Sequence, residues 1–271
     1  MRTVRNLVAT TRVDLHGDRF TRESFDDVAR AMSTRYVPML WNHDPRHPPL
    51  GRTIRAEVQQ LEDGEWGLFA VSEVFEGDEI PPLGDRDMIL REIPADVFTI
   101  VCDRSYRDDE DQRLLDELRG SGFRIDTEEK KAVEPLSVLL IAVGAAASMF
   151  AAGFLNKMGS DAWDALKTAV QRLLARRRRQ QIEYLLIFEL QIHRPAGPLS
   201  VKVILDTPTT DLLARFWTAG LAEFEGEALL LASSAPAELR MFVYVFTETG
   251  LIPKYAVRRD CVPQGFQTGA P

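Results

Sequence analysis

The residues best suited to acid–base chemistry gather in one short loop. His43 ends the apolar run Met39-Leu40-Trp41-Asn42 and opens Asp44-Pro45-Arg46-His47-Pro48-Pro49-Leu50-Gly51-Arg52, which carries three prolines. Each proline fixes φ at about −65°, so the loop holds its imidazole in place. An imidazole presented this way suits the base of a serine-type hydrolase, which also needs a nucleophile and donors for an oxyanion. The plainer alternative is a structural side chain making polar contacts at a strand end. The other histidines have weaker settings. His16 sits in the Asp14–Asp18 turn, and His193 precedes Arg194. His47, between Arg46 and Pro48, is a weak candidate for orienting His43.

Other chemistries find little support. No Gly-rich phosphate loop runs into Lys-Ser/Thr, and no G-x-G-x-x-G follows a strand. Cys102 and Cys261 form no C-x-x-C pair, and no Cys/His set has zinc spacing. Asp108-Asp109-Glu110-Asp111 could draw a divalent cation, but without a Ca²⁺-loop glycine it reads as a solvated loop. No cofactor or metal is expected. A net charge of −8 and a pI near 5.2 argue against nucleic acid as a partner. With no apolar leader behind Met1, a cytoplasmic setting is expected.

The elements that must position His43 follow from periodicity. Residues 4–13 read as a strand. Thr21 or Ser24 caps a helix over 22–33, with Phe25, Val28, Ala29 and Met32 on one face. Tyr36–Trp41 is a short strand entering the loop. Residues 53–60 and 66–75 form a hairpin across Glu62-Asp63-Gly64-Glu65. A loop over 77–87, a helical turn at 87–92, a strand at 97–102 and a charged excursion or short helix over 104–116 follow. The uncharged run 138–155 borders on the length of a membrane-spanning helix. Its β-branched front and small-residue back favour a buried strand over 138–143 and an apolar helix from Gly144. A helix capped by Ser160 ends in Arg176-Arg177-Arg178-Arg179, read as a solvated helix end that complements the dipole. Beyond 181, strands over 182–192, 199–205, 239–246 and 252–257 surround a helix over 211–224, an α+β order. Residues 260–271 are expected to be loose.

Asp14-Leu15-His16-Gly17-Asp18, followed by a helix and then Trp41-Asn42-His43-Asp44 leading to Gly51-Arg52, resembles the N-terminal signature of the prohead (capsid-maturation) serine proteases of tailed phages. Glu134-Pro135-Leu136-Ser137-Val138 before Val143-Gly144-Ala145-Ala146 is similar to the family's closing strand, without its Asn-Pro. The resemblance covers roughly the first half of the chain and implies that His43 is the catalytic base. The family's nucleophile is the serine of an L-S-I-G-F strand. The best match is Phe98-Thr99-Ile100-Val101-Cys102, which puts Thr99 at the serine and Val101 at the glycine. The threonine methyl restricts χ1 and crowds attack. Ser105 is the alternative nucleophile. Ser72 is more remote, and strand alternation turns Cys102 away from Thr99.

The expected architecture is mixed β/α. A prohead-protease-like bent β-barrel with flanking helices spans 1–150, a connecting amphipathic helix 151–180, a small α+β domain 181–259, and a loose tail 260–271. Three functions follow. The first is a degenerate protease fold that binds a protein partner, such as a phage capsid or scaffold protein, in assembly or phage defence. The second is an active endopeptidase with His43 as base and Thr99 or Ser105 as nucleophile. The third is a membrane-active effector inserting 138–155. The loss of both serine and glycine favours the first. An oligomer is compatible with all three.

Overall fold

The computed structural model describes residues 1–13, 19–76, 80–94, 98–103, 109–128, 136–146 and 160–265. The chain forms mixed α/β structure in two compact units, the first made of 1–91 with 256–265 and the second including 92–255.

In the first unit, β1 (Arg2–Thr10), β2 (Val37–Met39), β3 (Gly51–Gln60) and β4 (Trp66–Val74) form an antiparallel sheet in the order β1-β4-β3-β2. Helix α1 (Arg22–Thr34) starts where the Thr21 hydroxyl accepts the Ser24 amide, satisfying one N-terminal donor. Its Phe25 and Ala29 meet Ala56 and Leu68 of the hairpin in a small core, with Met32 and Trp66 at the margin. Val28, expected on the same face, is 39% exposed. Ladder irregularities between Leu7 and Ala9 and between Thr53 and Arg55 mark bulges, which bend and twist a strand.

The second unit holds β5 (Thr99–Asp103), α2 (Asp109–Gly120), β6 (Arg124–Glu128), β7 (Leu136–Ala146), α3 (Ser160–Arg179), β8 (Glu183–His193), β9 (Leu199–Asp206), α4 (Thr210–Arg215), a π-turn (Phe216–Gly220), α5 (Leu221–Ser234), β10 (Leu239–Thr247) and most of β11 (Gly250–Arg258). The sheet order is β11-β10-β9-β8-β7-β5-β6. The pairs β5/β6, β7/β8 and β9/β10 are parallel, and each brackets helix, as a parallel connection requires. Between them, β5/β7 and β8/β9 are antiparallel. Strand β8 is buried from Tyr184 to Ile192, which fits the unbroken apolar run Tyr184–Phe188 that opens it. In the first unit, the last residues of β11 pair with β12 (Pro263–Gln264).

Several expectations change. The strands expected to complete a domain over 1–150 are divided, because β7 pairs along its length with β8 and draws β5 and β6 into the second sheet. No helical turn forms at 87–92. Instead Met88 bridges to Tyr36, and the Ile89 amide donates to the Tyr36 carbonyl at 2.7 Å. The helix expected from Gly144 is strand through Ala146. Gly144 lies opposite Gln191, and a Cβ there would stand 2.5 Å from the Ile93 carbonyl oxygen. The helix begun at 210 runs on to Ser234 through the π-turn. Residues 260–265 are not loose, since Asp260, Cys261 and Val262 are buried.

The front of the uncharged run is therefore an interior strand, and 147–155 lies outside the described residues. Among the described residues no helix is long and apolar enough to cross a membrane. The four-arginine helix end and the acidic run, both expected to be solvated, meet each other. Asp111 accepts Arg176 Nε at 2.9 Å and Arg177 Nη2 at 2.7 Å, and Asp111 and Arg177 are buried. Arg178 bonds the Tyr184 hydroxyl at 2.7 Å.

Candidate functional site: the Trp41–His43 loop

Strands β2 and β3 converge on the loop and fix its ends. Met39 pairs with Gly51, and the Leu50 amide donates to the Met39 carbonyl at 2.9 Å. Gly51 is required there, because a Cβ would lie 2.2 Å from the Glu73 carbonyl oxygen of β4. Between these anchors Trp41–His43 forms one 3-10 turn, closed by the Asp44 amide donating to the Trp41 carbonyl at 2.9 Å.

The turn is strained. Asn42 (φ 47°) and His43 (φ 54°) are both left-handed. Left-handed backbone costs a non-glycine residue about 1–3 kcal/mol, and Asn and His are among the residues found there most often. What holds the turn is Asp44. Its carboxylate accepts the Arg46 amide at 2.9 Å and is gripped by Arg46 Nε (2.9 and 3.0 Å) and Nη2 (2.8 Å). Burial pushes the Asp44 pKa up, but the Arg46 hydrogen bonds and charge outweigh it and hold the carboxyl below its ordinary range. His47 Nε2 stands 3.8 Å from the same carboxylate. Beside the clamp His43 and Trp41 are both exposed, Trp41 at 62%.

The sequence-derived nucleophiles are placed differently. Thr99 belongs to the second unit, paired with Arg124 of β6 on one side and Ala142 of β7 on the other. It is 1% exposed, and its Oγ1 is buried without a hydrogen-bond partner. A nucleophile needs a base and a route for the carbonyl, and Thr99 has neither within its unit among the described residues. Val101 is interior strand as well. Cys102 is buried and lines a cavity of about 20 Å³ with Asp111, Ser137, Arg177 and Tyr184, room for one water. Ser72 is buried and bonded to the Thr53 hydroxyl at 3.0 Å across the hairpin. Ser105 and the Asp14–Asp18 turn lie outside the described residues.

The sequence places Gly51-Arg52 at the loop's end as scaffold, but not the partners that hold this footing. Arg52 is buried, bonding Glu73 at 2.8 Å and Asp260 at 3.1 Å. An Arg beside a Gly was visible, but a partner 208 positions away was not. The Asp44-x-Arg46 spacing was the one local sign of the clamp. No family model matches the chain, no curated protein matches it and no solved structure matches it, so what it does must be reasoned from its own residues.

Proposed function

We propose that the chain is a binding protein on a prohead-protease-like scaffold, its hydrolytic function lost, which recognises a capsid or scaffold-type polypeptide through the Trp41–His43 loop in assembly or phage defence. The observation that carries the reading is the pair of left-handed residues, Asn42 and His43, held by the Asp44–Arg46 clamp beside an exposed tryptophan. Strain of this kind persists only where surrounding structure enforces it, and it concentrates at ligand clamps and active sites. Tryptophan is the residue most enriched among binding hot spots. The burial of Thr99 supports binding over catalysis, as does its replacement of the expected serine.

Two measurements on the full chain test this. A fluorophosphonate probe should leave the protein unlabelled by intact mass. A photo-crosslinking residue at position 41 should capture purified coat or scaffolding protein of a tailed phage, and His43→Ala should weaken that capture. Labelling that disappears in His43→Ala would establish a working peptidase and refute the proposal. So would capture that is indifferent to His43→Ala.

A further inference from the structure

The first unit contains a buried charge cluster that the binding loop does not itself use. Asp260 is 0% exposed. Its carboxylate accepts Arg258 Nε at 2.9 Å and Nη2 at 2.5 Å, Arg52 Nη1 at 3.1 Å and the Gly84 amide at 2.8 Å. Its carbonyl also accepts Arg52 Nη1 at 3.2 Å. Cys261, left-handed at φ 66°, completes the tight turn that aims Asp260 inward, with its amide bonded to the Arg258 carbonyl at 2.9 Å.

The cluster ties three parts of the chain together. Arg258 holds the Pro81 and Pro82 carbonyls at 3.1 Å each, and Arg259 holds the Gly84 carbonyl at 3.1 Å. Arg52 donates to Glu73 at 2.8 Å and lies 4.4 Å from the centre of the Tyr36 ring, which Arg86 approaches at the same distance. Arg52 is also the residue opposite Pro38 in the β2/β3 ladder, one step from the Met39–Gly51 pair that closes the His43 loop. The footing of the loop is thus gripped by a carboxylate from the far end of the chain.

We propose that residues 256–265 act as a strap and that Asp260 is a positioning residue for the Trp41–His43 loop, acting through Arg52. The consequence for partner binding rests on the function proposed above; the mechanical coupling does not. Asp260→Asn removes the charge, leaves the buried Arg258 guanidinium without a carboxylate and leaves Arg52 with Glu73 alone, an expensive arrangement. Hydrogen exchange of the full chain reads the outcome. In Asp260→Asn, amides of 36–52 and 80–88 should exchange about tenfold faster or more, while α1 and the 58–68 hairpin end keep their protection. Adding Arg52→Met to Asp260→Asn should accelerate the loop by less than the two single effects combined, because the two residues share one link while Arg52 also holds Glu73. Should Asp260→Asn fail to fold, Arg52→Met alone, which leaves Asp260 on Arg258 and Gly84, must still loosen 36–52 selectively.

Uniform acceleration across the first unit would make Asp260 merely structural and overturn the inference. So would additive effects of the two substitutions. If the loop loosens as expected yet no partner is captured by the wild type, the binding reading falls and the strap stands.

Discussion

Replacing Asp111 with alanine is expected to destabilise the second unit by about 3–5 kcal/mol, the cost of removing one partner of a buried ion pair. Asp111, 1% exposed in the first turn of α2, joins α2 to the C-terminal end of α3 through Arg176 and Arg177. Arg176 keeps Glu110 as a second, exposed partner, so the loss falls mainly on Arg177, whose side chain is 9% exposed. A domain of this size loses roughly 2–4 °C of Tm per kcal/mol, so the transition should drop by about 6–20 °C. Urea unfolding followed by tryptophan fluorescence measures the change, with Trp163 and Trp217 in edge-to-face contact at 5.2 Å as reporters in this unit. The double variant Asp111→Leu/Arg177→Met should recover most of the loss, because apolar groups of similar volume replace buried ion pairs at little cost. A loss below about 1 kcal/mol, the value of a surface pair, would refute the buried-pair argument and restore the solvated reading of both charge runs.

Other outcomes test the remaining arguments. Thr99→Val should be neutral or stabilising by about 1 kcal/mol in urea unfolding, because it removes a buried hydroxyl that bonds nothing; a loss of more than about 1 kcal/mol would mean that Oγ1 has a task. Gly51→Ala should cost about 1–3 kcal/mol and raise hydrogen exchange in 39–50, since the new methyl meets the Glu73 backbone. Asp260 and Asp44 have folded pKa values held below normal by Arg258 with Arg52 and by Arg46, against the opposing effect of burial. The unfolded chain therefore binds more protons in acid, so their contribution is complete above about pH 4 and is lost as pH falls through the folded values. The urea midpoint should fall below pH 4 more steeply in wild type than in Asp260→Asn; equal slopes would deny Asp260 that role.

Much of the local structure was legible because its causes are local. The Thr21 cap and 3.6-residue spacing set α1, the Asp63-Gly64 turn set the β3–β4 hairpin, and alternating strand and helix runs set the order from β8 to β11. The prolines likewise marked the His43 loop as a fixed structure. Its left-handed turn was not marked, because Asn42 and His43 are not the glycines that φ above zero favours. Other features were decided only when distant segments met. Whether Asp111 and the arginine run are solvated depends on a partner 66 residues away, and whether Asp260 is tail or keystone depends on Arg52 across 208. Thr99 in its own strand could face a cleft or a core; the strands on either side of it settled the matter. Periodicity and capping are properties of neighbours in sequence, whereas the burial of a charge or hydroxyl is a property of neighbours in space.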